Sequence, residues 1–230
     1  MARINVRREI EIERNVVEQY LMDVKDFIKN HRKTVLYSMV GILAVCVIII
    51  ALFVYIDSVT SENQERFDRI MAEYKKFYPN DREGIRKTAA ELKKFVDSSY
   101  FGFSRQMGMY MLGSIYYSEK NYKEAVPYLK KFASKTSSTF FASLALLKAG
   151  VSYEELNDFE SALKIYKELE DDYSGSPVED QVFYSMARAF QKKGDIINAR
   201  NYLNKVVATY PQSLYADKSR KRLFVLKNKN

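Results

Sequence analysis

Three segments of this 230-residue chain align without a gap: MYMLGSIYYSEKNYKEAVPYLKKF (109–132), LLKAGVSYEELNDFESALKIYKEL (146–169) and FYSMARAFQKKGDIINARNYLNKV (183–206). Small residues recur at a spacing of 37, first as Gly113, Gly150 and Ala187, then as Ala125, Ala162 and Ala199. Bulky residues keep the same register at Tyr116, Tyr153 and Phe190, at Leu129, Tyr166 and Leu203, and at Phe132, Leu169 and Val206. A unit of this length buries too little surface to fold alone. The chain must therefore stack its units into one continuous core.

The pattern within each unit is that of a helical hairpin. A small residue such as Gly113 lets the first helix approach the second, and Ala125 receives that approach from the other side. Larger residues at Tyr116, Leu129 and Phe132 fill the space between helices. The turns read EKNY, LNDF and KKGD, with Asn121, Asn157 and Gly194 as the helix-ending residues. Helices are expected near 60–78, 83–98, 103–119, 122–135, 139–156, 159–173, 177–193, 196–209 and 213–227.

The order small–large–small–large, carried by LGSIY, EAVPYLKKF and the later Pro177 and Pro211, resembles the tetratricopeptide repeat. TYPQSLYADKSRKRL (209–223) looks like that repeat's proline turn followed by a capping helix. ELKKF, with Thr88, Leu92 and Phe95 in register, resembles the second helix of an earlier, divergent hairpin over 62–99. Its first helix would be ERFDRIMAEYKKFYP, which lacks the Leu-Gly signature. The resemblance implies an all-α fold, a right-handed α-solenoid of hairpins over 57–230.

Ahead of the repeats lies VLYSMVGILAVCVIIIALFVYI, residues 35–56, with no charged side chain. As a helix it would be about 33 Å long, enough to cross the hydrocarbon core of a bilayer. Tyr37 and Tyr55 stand near its ends, where aromatic rings favour the interface. The run is too long for a signal-peptide core, and Asp57, Ser58 and Val59 offer no small-residue cleavage site, so it reads as an uncleaved signal anchor. Lys25, Lys29, Arg32 and Lys33 precede it, whereas Asp57, Glu62 and Glu65 follow. That asymmetry predicts a cytoplasmic segment 1–34 and an extracytoplasmic domain 57–230. Within 1–34, Val16, Val17, Tyr20, Leu21, Val24, Phe27 and Ile28 fall on one helical face, suited to the inner leaflet or to a partner.

Chemistry has little to draw on. There is one histidine, His31, and one cysteine, Cys46, the latter inside the apolar run. Neither an intramolecular disulfide, a zinc site nor a Ser-His-Asp set can be built from them. No phosphate-binding or dinucleotide glycine motif occurs. The pairs Glu154–Glu155 and Asp171–Asp172 read as exposed acids at helix ends. No enzyme activity, cofactor or metal is expected. The net charge of +8 is mixed along the chain, without a nucleic-acid motif. Its surplus gathers in KSRKR (218–222) with Lys227 and Lys229, a solvated terminal helix or a contact for anionic headgroups.

The layout as a whole, with EQYLMDVKDFIKNHRKTVLYSMVGILA leading into the anchor, resembles the YfgM-type ancillary subunits of the bacterial Sec translocon. That resemblance implies a single-pass inner-membrane protein with a periplasmic adaptor domain. Translocon subunits, a periplasmic chaperone or client chains would be its partners. An envelope-assembly or cell-division scaffold and a self-associating anchor, hence a homo-oligomer, are the alternatives. The repeat resemblance also implies that the first helix of each hairpin lines a groove. The corresponding residues are Tyr110, Ser114, Tyr117, Leu147, Val151, Glu154, Tyr184, Arg188 and Gln191. Chaperone-binding relatives carry Lys and Asn where Tyr110 and Ser114 stand here. A mixed aromatic and polar groove for extended or helical segments is therefore expected rather than a carboxylate clamp.

Overall fold

Apolar residues at helical spacing, separated by capped turns, give a succession of helices among the described residues. The computed structural model describes residues 18–78 and 81–227. Helix α1 covers 18–30, followed by α2 (Arg32–Phe77), α3 (Arg82–Ser98), α4 (Phe103–Ser118), α5 (Tyr122–Ala133), α6 (Thr139–Glu155), α7 (Phe159–Asp172), α8 (Glu179–Lys192), α9 (Ile196–Thr209) and α10 (Leu214–Lys227). The chain divides into two compact units after Ser58.

In the first unit, Tyr20, Leu21, Val24, Phe27 and Ile28 are helical and exposed, while Val16 and Val17 lie outside the described residues. The apolar run belongs to α2, the one helix among the described residues long and apolar enough to cross a membrane. From Leu36 to Ile56 its side chains, Cys46 included, are exposed. The sequence reading separates this run from a helix starting near 60. Both fall within α2, because no glycine or proline lies between Gly41 and Pro79 to interrupt the helix.

The second unit is a succession of antiparallel hairpins. The last turns of α2 pack Phe67, Ile70, Tyr74 and Phe77 against Ile85, Ala89 and Leu92 of α3, forming the divergent first hairpin. The pairs α4–α5, α6–α7 and α8–α9 follow, and α10 covers α9. Alternate helices also meet: α4 packs on α6, α6 on α8 and α8 on α10. The second helices of successive hairpins reach one another through long side chains, as where Lys205 of α9 meets Glu170 of α7 at 2.6 Å. Backbones approach most closely on the first-helix side, so α4, α6, α8 and α10 form the inner face of the stack.

Two details of the hairpin differ from the sequence reading. Gly113 makes room for Leu129 rather than for Ala125. A β-carbon on Gly113 would lie 2.8 Å from Cγ of Leu129, inside van der Waals contact. The small residue is thus paired with a bulky one sixteen positions later, and Gly150 with Tyr166 repeats the arrangement. The first turn is also shifted by one. Positive φ occurs at Lys120 (61°), Asn157 (60°) and Gly194 (83°), so Lys120, not Asn121, takes the left-handed position. The following residues start the next helices, where Asp158 and Asp195 accept from Ser161 N and Asn198 N at 3.0 Å.

Candidate functional site

The inner face is assembled from α4, α6, α8 and α10. On α4, Tyr110 and Ser114 are half-buried. A residue missed by sequence reasoning joins them: Lys148 of α6 donates from Nζ to Ser114 Oγ at 2.8 Å and lies 4.8 Å from the centre of the Tyr110 ring. Burial holds its amine below the usual lysine range. No carboxylate pairs with Lys148 among the described residues. A cation that is partly desolvated and satisfied by neutral groups is a ready donor for an incoming acid. Tyr110 also packs on Phe132 and Phe141, at 5.0 and 6.0 Å between ring centres.

A second cluster lies one repeat further along. Glu154 is buried, 7% exposed, and is not the exposed helix-end acid that its neighbour Glu155 is. Its charge is compensated from the next repeat, where Arg188 donates through Nε at 3.1 Å and Nη2 at 2.6 Å to Oε2. The Tyr166 hydroxyl donates to the other oxygen at 2.5 Å. Burial first, then the Glu154 charge, raises the Tyr166 phenol well above its ordinary range. A satisfied buried ion pair of this kind fixes α6, α7 and α8 in one register.

Beside this network Tyr184, Arg188, Gln191 and Arg222 surround an open cavity of about 640 Å³, with Glu154, Glu155 and Lys192 on its walls. Arg222 of α10, in the basic run KSRKR that sequence reasoning left to solvent or headgroups, sits 5.6 Å from the centre of the Tyr184 ring. Its Nη1 and the Gln191 Oε1 are buried without a hydrogen-bond partner among the described residues, as is Ser219 Oγ. Such atoms stand ready for a ligand's polar groups. The structure therefore gathers Tyr184, Arg188, Gln191 and Glu154 around one cavity, and Tyr110 with Ser114 around Lys148. Tyr117 is half-buried and meets Tyr122 edge-on at 5.8 Å, whereas Val151 packs on the core and Leu147 is buried within it.

A family model described as tetratricopeptide repeat matches residues 144–176 and 181–213, and a second of the same description matches 108–134. These three stretches are similar to tetratricopeptide repeats. Among solved structures, it resembles a tetratricopeptide repeat protein from Parabacteroides merdae, 16% identical, covering 71% of this chain and 61% of that one with a TM-score of 0.56. It also resembles the nearly identical TPR-like repeats of a kinesin light chain from Podosopora anserina, 17% identical over 67% of this chain and 78% of that one, TM-score 0.50. These likenesses show the shared all-helical solenoid. No curated protein is significantly similar in sequence. Repeats of this kind are protein-interaction scaffolds, and no catalytic family is indicated.

Proposed function

We propose that the chain is a membrane-anchored adaptor whose inner helical face holds a segment of a partner protein. The observation that carries this reading is the row of unsatisfied or weakly satisfied polar groups on that face. Among the described residues Lys148 has no carboxylate partner, and Arg222 Nη1 and Gln191 Oε1 have no hydrogen-bond partner. They are interleaved with Tyr110 and Tyr184, so an extended or helical segment bearing acids and apolar residues would be complementary. Residues 35–56 cross the inner membrane in this reading, with 1–34 in the cytoplasm and the domain from 57 onward in the periplasm. The partners are Sec translocon subunits and the periplasmic chaperones or chains beside them. Tethering raises the local concentration of the repeats near such partners, so weak contacts suffice.

The reading is tested by isolating the full chain from native membranes, alongside a form in which 1–56 is replaced by a cleavable signal. The anchored form should retain translocon subunits and the released form should lose them. Undiminished association of the released form would contradict the role of the tether. Recovery of outer-membrane assembly or division proteins instead would favour the envelope scaffold. Compartment-sensitive reporters at each end test the sidedness.

A further inference from the structure

The connection between α3 and α4, with the first residue of α4, carries three aromatic side chains in four residues: Tyr100, Phe101 and Phe103 around Gly102. Tyr100 is 91% exposed and Phe103 70% exposed. A contiguous exposed aromatic cluster of this kind is suited to contact with an apolar or amphipathic surface.

The loop is held in place from both sides. Ser99 Oγ donates to the buried Asn63 side chain at 3.1 Å, and Ser104 Oγ donates to Gln64 Oε1 at 2.6 Å. Arg66 reaches Ser98 Oγ at 3.3 Å, and Arg105 Nε donates to the carbonyl of Ser99 at 2.5 Å. Gly102, at φ 103°, lies against Thr60, where a β-carbon would sit 3.5 Å from Cγ2. The aromatic loop is therefore pinned beside residues 60–66.

Thr60 is only four residues beyond Ile56, the last residue of the apolar run. Four residues span about 6 Å as helix and at most about 14 Å fully extended. The polar interface on each side of the hydrocarbon core is about 5–7 Å thick. Given the reading of 35–56 as a span, on which this inference rests, the connectivity of the chain alone keeps Thr60 in or just above the headgroup layer. Whatever lies against Thr60 shares that depth. We propose that the Tyr100–Phe103 loop is a second membrane contact, inserting its aromatic rings into the interface of the same bilayer. Tyrosine is suited to this layer, with an apolar ring and a polar tip. The first hairpin would then be attached at two points, the span and the loop.

The chain has no tryptophan, so a single introduced indole reports from one place. The test uses full-length protein in phosphatidylcholine vesicles whose acyl chains are brominated either near the headgroups or near the bilayer centre. Three variants are compared: Tyr100→Trp in the loop, Phe53→Trp in the apolar run and Phe224→Trp on α10, all at exposed positions. The expected result is a loss of Tyr100→Trp emission that is greater with shallow than with deep bromines. Phe53→Trp should be quenched most by deep bromines, and Phe224→Trp by neither. If Phe53→Trp is quenched but Tyr100→Trp is as bright as Phe224→Trp, the loop is not a membrane contact although the span stands. Equal quenching of Tyr100→Trp and Phe224→Trp would show nonspecific adsorption and overturn the loop's role. An unquenched Phe53→Trp would remove the span, and the loop's role with it.

Discussion

Tyr166 lies directly beneath Gly150, so close that a β-carbon there would overlap its ring, and this places its hydroxyl against Glu154. The same two positions one repeat later hold Ala187 and Leu203, which share a buried cluster. Leucine faces Gly113 as well as Ala187, so the Tyr166 ring accounts for the glycine at 150 in particular and does not set a rule for every repeat. Gly150→Ala should destabilise the array by about 1–3 kcal/mol through overpacking, less the roughly 1 kcal/mol that Ala gains as a helix former. Adding Tyr166→Leu should restore part of the loss by recreating the Ala187–Leu203 pair. Thermal melts of the single and double variants check this; equal destabilisation with and without Tyr166→Leu would contradict the pairing.

Arg188 is the compensating charge for buried Glu154. Arg188→Met should leave a desolvated carboxylate with only the Tyr166 donor and cost about 2–3 kcal/mol, toward the lower end for a broken buried pair because Arg188 is partly exposed. Glu154→Gln with Arg188→Met should be milder than Arg188→Met alone. Denaturant titrations of the set would show whether the two residues couple in this way.

Three tyrosines make stability sensitive to alkali. Tyr166 is raised well above the usual phenol range by burial and then Glu154. Tyr202 is raised to about 12 by burial and then its bond to Glu170, and Tyr210 to about 12 by burial and then Glu179. Between pH 10 and the raised values the folded chain keeps protons that the unfolded chain releases. Stability must therefore fall as pH rises above 10. The melting temperature should decline through this window, and more shallowly in Tyr166→Phe. Identical slopes for the two proteins would sever the link to Tyr166.

Lys120 holds a left-handed conformation that Asn157 and Gly194 occupy in the other turns. Lysine carries a β-carbon penalty there of about 1–2 kcal/mol, partly offset by its lower entropy when unfolded. Lys120→Gly should therefore stabilise the fold by up to about 1 kcal/mol. A lower melting temperature for this variant would argue against strain at that turn.

Lys148 illustrates a different balance. Its amine is held below the usual range by burial, so at neutral pH its charge opposes folding. Lys148→Met should leave the melting temperature unchanged or higher while weakening capture of partner proteins. Loss of both together would make Lys148 a structural residue instead.

The repeat register was legible because packing writes it directly into residue size: Leu92, Leu129, Phe132, Tyr166, Leu169, Leu203 and Val206 are all buried where the 37-residue pattern puts bulky side chains. Most helix ends fell within two residues of expectation for the same reason. Lys120 was not legible, since lysine is no turn signal and only its register with Asn157 and Gly194 reveals it. Lys148 was missed, and Arg222 was left to solvent or headgroups, because they act across helices, at distances set by how hairpins stack rather than by spacing along one helix. Glu154 looked exposed because its partner Arg188 lies 34 residues away.

The most direct test of the adaptor account is photo-crosslinking in native membranes, with a crosslinker placed at Tyr117 or Tyr184 on the inner helices, or at Glu168 on the exposed side of α7. The account predicts that Tyr117 and Tyr184 capture translocon subunits, periplasmic chaperones or their client chains, and that Glu168 captures none of them. Equal capture from Glu168, or only self-crosslinks from Tyr117 and Tyr184, would contradict it.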